Sequence, residues 1–155
     1  MIYLDNAATT LIKPKRVLKN TYECISKYCA NPGRAIHPIA IKISEKIFET
    51  REKIASHIGI YMPERVIFFQ NATHALNFAI KTTLKNGDHA IISDLEHNAT
   101  LRPLYALKEK DNVSFDIFSS VGSVYENIKG LINNRTKAII SSTMSNVFEI
   151  GRAHV

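Results

Sequence analysis

Cysteine is scarce in this 155-residue chain, with 2 Cys in all, and tryptophan is absent. No apolar run approaches the roughly 18 residues that a membrane-spanning helix requires, so a spanning helix is excluded. The opening Met1-Ile-Tyr-Leu-Asp5 lacks the basic-then-apolar order of a secretory signal, and the expectation is a soluble, cytoplasmic chain. Cys24 and Cys29 fall five residues apart in an expected helix, which turns them about 140° from one another. That spacing suits neither a disulfide nor a zinc pair, and both read as reduced thiols. Glycine and proline are also few, at 6 and 5, while 45% of the residues are hydrophobic and 22% charged. This excludes disordered, collagen-like and low-complexity chains and leaves enough apolar material for one ordinary core. The net charge of +6 raises nucleic acid as a partner. However, the 20 Lys and Arg are spread among 14 acids with no long basic run and no interleaved aromatics, so the expectation is a solvated basic surface and no nucleic acid. H-E-x-x-H, paired metal-binding cysteines and G-x-S-x-G are all missing, and no metal site is expected.

What is there is an alternation of helical and strand-like periods. Pro14 to about Lys27 reads as a helix with Val17, Leu18, Tyr22 and Ile25 on one stripe. Pro38 to His57 is the longest helical pattern, and Gly59 stands where a helix stop belongs. From there the rhythm becomes strand, helix, strand. Arg65–Phe69, His89–Ser93, Val113–Phe118 and Lys137–Ser142 are expected strands. Helices are expected to follow Asn71 and to cover about Ala99–Glu109 and Val124–Asn133. Such spacing implies βαβ units and an α/β fold with a mainly parallel sheet. The domain expectation is a helical N-terminal segment at 1–60 and a partial α/β domain at 61–148.

Three polar clusters follow strand-like runs. In Phe69-Gln-Asn-Ala-Thr-His74, a helix start offers backbone N–H groups and the Thr73 hydroxyl to a phosphate; the plainer alternative is an Asn71 cap with nothing bound. In Asp94-Leu-Glu-His-Asn98, His97 stands at a strand's carboxyl end, where α/β ligands bind, and offers a ring for stacking or proton transfer. Glu96 either orients that ring or faces water. Ser142-Thr-Met-Ser-Asn146 offers an uncharged Asn to a ring substituent, or is only a polar turn. Three clusters on one expected edge make a stronger case for a site than any one alone.

The residues also resemble a known family. Tyr3-Leu-Asp-Asn-Ala-Ala-Thr-Thr10, Asn31-Pro-Gly-Arg-Ala-Ile-His37, Asn71-Ala-Thr-His-Ala-Leu-Asn77, Asp94-Leu-Glu-His-Asn98 and Ser145-Asn146 are similar, in order and spacing, to motifs of cysteine desulfurases and their class V aminotransferase relatives. The resemblance implies the N-terminal part of a pyridoxal 5'-phosphate enzyme with an aspartate-aminotransferase-like large domain, truncated here, and a homodimer when complete. It gives Ala72 and Thr73 the cofactor phosphate, His97 the stack on the pyridine ring together with the catalytic role, and Asn146 a place beside the ring oxygen. Asn6, Ala7 and Ala8 fall on the substrate side, with Arg34 and His37 in a loop approaching the site. The implied activity is conversion of L-cysteine to L-alanine, with sulfur passed to an enzyme cysteine and then to an acceptor protein, as in iron–sulfur cluster assembly.

Another class V aminotransferase, a selenocysteine lyase or an amino-acid lyase is the alternative within the fold. A non-catalytic phosphate-binding α/β module is the alternative outside it. The sequence departs from the family pattern at Thr143 and His74, where His and Glu are common, and the Schiff-base lysine and sulfur-accepting cysteine are not in this chain. The closing Glu149-Ile-Gly-Arg-Ala-His-Val155 resembles a sequencing adapter read in one frame. The expectation is therefore a non-native tail at 149–155, in which His154 has no role.

Overall fold

Helix α1 (Lys15–Lys27) starts behind Pro14, whose fixed φ suits a helix entry. Helix α2 (Pro38–His57) carries Pro38 in its first turn, where no N–H partner is needed. It stops where the sequence places the stop: Gly59 follows the Ile58 cap at φ +72°, a left-handed conformation that glycine adopts without steric penalty. The computed structural model describes every residue except Met1, Asp5, Ala7, Ala8, Arg34, Ala35, 146–149 and 152–155. The expectations for Ala7, Ala8, Arg34 and Asn146, and for Glu149 and 152–155 with His154, lie outside the described residues.

Two compact units make up the chain, residues 1–68 and 69–155. In the first, α2 buries Ala40 and Ala55, and the Tyr28 ring lies under the ammonium groups of Lys42 and Lys46, 5.2 and 5.1 Å from its centroid. Helix α1 buries no residue, so Val17, Leu18, Tyr22 and Ile25 keep an apolar stripe exposed. Cys24 is on α1 but Cys29 lies beyond its end, which corrects the expectation of one helix for both; both thiols are free.

The second unit is a parallel sheet with helices. Strand β1 (His89–Ser93) is central, β2 (Ser114–Phe118) and β3 (Thr136–Ile140) pair with it in parallel, and the order is β2-β1-β3. All five residues of β1 are buried, as expected for a central parallel strand written His-Ala-Ile-Ile-Ser. Helices α3 (Ala72–Thr83) and α4 (Asn98–Asp111) pack on each other, and Ile80, Leu104 and Leu107 from them, with Leu84 at the cap of α3, form the core with Ala90, Ile92 and Val113. Helix α5 (Val124–Lys129) follows β2 and is shorter than the expected Val124–Asn133. A two-residue antiparallel ladder joins β4 (Met144–Ser145) to β5 (Ile150–Gly151).

One expected strand is not a strand. Pro63–Arg65 forms a 3₁₀ turn, and the residues to Phe69 run on with no strand paired to them among the described residues. Ile67 and Phe68 remain exposed. An apolar β-branched run favours extended backbone, but a ladder also needs a neighbour. Among the described residues the parallel sheet therefore has three strands, not four.

His89 begins β1 at the sheet's amino edge and is 2% exposed. Its Nε2 faces Asp116 Oδ2 at 3.2 Å, while Nδ1 is approached by Thr136 Oγ1 at 2.8 Å and Asn133 Nδ2 at 3.1 Å. The Asn133 amide nitrogen only donates, so Nδ1 accepts and the ring proton sits on Nε2, donated to Asp116. His89→Ala is expected to lower stability by about 2–3 kcal/mol, the scale of several buried hydrogen bonds left unmade. Urea unfolding measures this, and a loss below about 0.5 kcal/mol would mean the partners re-pair without the ring.

Candidate functional site

The carboxyl edge of the sheet is assembled from the loop after β1. Ser93 closes the strand, and His97 caps α4 with its own side chain, Nδ1 accepting from Ala99 N at 3.0 Å. Acceptance at Nδ1 puts the proton of the neutral ring on Nε2, the nitrogen left free for a ligand. Asn71 caps α3 in the same manner, Oδ1 accepting from His74 N at 2.8 Å, as the cap reading of the sequence requires. The Ala75 N–H bonds to Asn71 O. The first N–H groups of α3, on Ala72 and Thr73, are thus left without intrahelical partners.

These two helix starts border one shallow cavity of about 180 Å³, lined by Thr73, Asn77, His97, Asn98, Ala99 and Arg102. Thr73 and His97, two of the residues singled out in the sequence, are therefore brought together. Asn77 and Arg102 were not anticipated. Asn77 stands one helical turn after Thr73 and donates from Nδ2 to Thr73 O at 3.0 Å. Arg102 lies five residues after His97 on the helix that His97 caps, and nothing in its own sequence neighbourhood marks it as a lining residue. No lining residue is acidic. A hydroxyl, a guanidinium, open N–H groups and helix N-termini form a donor set that suits a phosphate dianion.

Two carboxylates hold the β1 loop in place. Asp94 accepts from Ser120 N with both oxygens at 3.1 Å, and its own N–H reaches Phe118 O at 3.1 Å, which ties the loop to the exit of β2. Glu96 reaches the other way, to the exit of β3: Oε1 accepts from Ser142 N at 2.5 Å and Oε2 from Ser142 Oγ at 3.2 Å. Ser93 Oγ and Thr100 Oγ1 donate to the same carboxylate at 2.6 and 3.0 Å. Glu96 neither orients the His97 ring nor lies idle in water; it joins backbone segments.

The remaining candidates stand elsewhere. His37 caps α2, Nδ1 accepting from Ala40 N at 3.3 Å, and Asn6 donates from Nδ2 to Tyr3 O at 3.3 Å, both in the first unit. His74 sets its ring edge-on to Phe69, with centroids 5.2 Å apart. Among the described residues no group of three or more His, Cys, Asp or Glu gathers to hold a metal ion, and no helix is long and apolar enough to cross a membrane.

Comparison with known proteins agrees with this architecture. A probable cysteine desulfurase of Borreliella burgdorferi is 34% identical over 154 residues, covering 94% of this chain and 36% of that protein. The apo structure of a cysteine desulfurase from Thermococcus onnurineus NA1 superposes with a TM-score of 0.80 at 26% identity, over 94% of this chain and 37% of that one. A C-DES mutant with glycine covalently linked to its PLP cofactor superposes with a TM-score of 0.69, over 92% of this chain and 38% of that one; at 14% identity it shares the fold alone. The chain thus spans somewhat over a third of the length of these relatives. The sequence profile of class-V aminotransferases matches residues 2–151, nearly the whole chain, with the loop, caps and cavity just described inside the match. The chain belongs to the aminotransferase class-V family.

Proposed function

We propose that this chain forms the amino-terminal part of a pyridoxal-phosphate-dependent cysteine desulfurase, whose substrate is L-cysteine. The observation that carries the reading is the acid-free cavity that joins Thr73 to His97 between two helix N-termini. The cofactor, when bound, supplies an electron sink for chemistry at the amino-acid Cα. This chain's part is to bind and orient. Ala72 and Thr73 hold the phosphate through N–H groups and a hydroxyl, and Arg102 adds a positive charge at the same cavity. His97 lies against the ring, and for Nε2 to take up a proton Nδ1 gives up its cap on Ala99 N and carries the ring proton instead. Asn146 stands beside the ring oxygen, while Asn6, Ala7, Ala8, Arg34 and His37 serve the substrate side. Residues 1–60 and 61–148 act as a helical segment and a partial cofactor domain, with 149–155 outside both. The complete protein is a cytoplasmic homodimer that hands sulfur to an acceptor protein.

The test is purification of the complete protein with pyridoxal 5'-phosphate, followed by incubation with L-cysteine and a reductant. A chromophore that survives dialysis, with alanine and sulfide released in equal amounts, is the expected result. Failure to retain the chromophore would overturn the reading. Retention without alanine would assign the chain to a class-V enzyme of different substrate.

The phosphate contact is tested by Thr73→Val, which keeps the volume and removes the hydroxyl. Cofactor retention should weaken by about 1–2 kcal/mol, the scale of one hydrogen bond to a charged group. Unchanged affinity in a cofactor titration would reduce Thr73 to a helix-start residue.

A further inference from the structure

We propose that Glu96 is a positioning residue that locks the loop carrying His97 to the segment leaving β3, so that two strand exits at the carboxyl edge of the sheet are held by one carboxylate. The geometry is unusual for a side chain in an exposed loop. Its two oxygens accept four hydrogen bonds, from Ser142 N, Ser142 Oγ, Ser93 Oγ and Thr100 Oγ1. These donors belong to three separate places in the fold: the end of β1, the first turn of α4 and the segment after β3. Ser93 and Thr100 are 4% and 1% exposed, so their hydroxyls depend on this partner.

A carboxylate has about four acceptor sites, and here all are used. Glu96 therefore has no lone pair to offer a substrate proton, which separates it from the adjacent His97. What it controls is distance. Ser142 is three residues before Ser145 and four before Asn146, while His97 is the next residue after Glu96. Releasing Ser142 from Glu96 would let the two segments drift apart, and the consequence for cofactor geometry rests on the reading of the site given above.

Two substitutions separate hydrogen-bond geometry from charge. Glu96→Gln keeps the shape: its carbonyl oxygen accepts from Ser142 N and Ser93 Oγ, while the hydroxyls of Thr100 and Ser142 rotate to accept from its amide. Glu96→Ala leaves all four donors unmatched. Amide hydrogen exchange of the complete protein, with and without pyridoxal 5'-phosphate, should show peptides 94–100 and 141–145 exchanging about tenfold faster in Glu96→Ala and restored in Glu96→Gln. The visible circular dichroism of the bound cofactor should shrink in Glu96→Ala and return in Glu96→Gln. Unchanged exchange at 141–145 in Glu96→Ala would overturn the lock, whether or not cofactor binds. Glu96→Gln behaving like Glu96→Ala would also overturn it, since charge and not geometry would then be at work. Coupled exchange in a protein that takes up no cofactor would support the lock and sink the pyridoxal-phosphate reading instead.

Discussion

Replacing His97 by alanine in the complete protein is expected to lower turnover by about two to four powers of ten, the usual yield of a well-placed proton-transfer group. Stacking adds a smaller loss, on the order of 0.5–1.5 kcal/mol of cofactor affinity for a ring against a ring. The structure adds a third component that the sequence did not disclose. His97 is the N-cap of α4, its Nδ1 accepting from Ala99 N, and removing an N-cap acceptor costs about 1 kcal/mol.

Alanine thus removes ring, proton and cap together, and two further variants part them. His97→Asn keeps a strong cap and loses the ring, so α4 should stay as stable as in the parent while cofactor retention and turnover both fall. His97→Phe keeps a ring and loses both proton and cap, so the cofactor should be held better than in His97→Asn while turnover stays low. Steady-state rates, cofactor titration and thermal unfolding, measured on all three, give the separation. Parental turnover in His97→Phe would leave stacking alone as the role. Parental turnover and affinity in His97→Asn would reduce His97 to a helix cap and remove it from the site.

Much of the fold was legible because each signal was local. The Asn71 cap, the Gly59 stop and the continuous apolar run of β1 are set by neighbouring residues, and the structure has them where the sequence put them. The expected strand at Arg65–Phe69 failed for a non-local reason: its residues favour extension, but no partner strand stands beside it among the described residues. Pro103 lies inside the helix expected over Ala99–Glu109. An interior proline removes an i to i−4 bond and should break a helix, yet α4 runs through it. Ala99, Pro103, Leu104 and Leu107 all fall on the buried face, and tertiary packing outweighs the lost bond.

The site was legible in part. Thr73 and His97 were found from their places after apolar runs, and the cavity joins them. Arg102 and Asn77 were missed, since a single Arg or Asn on a helix carries no signal until the facing helix is known. The work of Asp94 and Glu96 was hidden for the same reason. Their partners, Ser120 and Ser142, are 26 and 46 residues away along the chain.

The second large effect concerns the wall on which that site stands. Leu104→Ala is expected to destabilise the protein by about 3–5 kcal/mol, the lost transfer energy of a buried leucine plus the cavity left behind. Leu104 is 0% exposed and belongs to the core cluster with Ile80, Leu84, Ile92, Leu107 and Val113, which joins α3 and α4 to the sheet. Rigid strand residues and two helices around it leave little room for collapse, which puts the expected loss at the upper end of the range. Against a usual total of about 5–15 kcal/mol, that is a large share. The helix weakened by this change is the one His97 caps, and the helix facing it carries Thr73. Cofactor retention should therefore fall along with stability, and a saturating concentration of pyridoxal 5'-phosphate should restore part of the thermal midpoint by binding only the folded state. Chemical denaturation with and without the cofactor measures both quantities. A loss below about 1 kcal/mol would show that the core re-packs around position 104. A large loss that the cofactor does not offset would show that the two helix N-termini do not hold it.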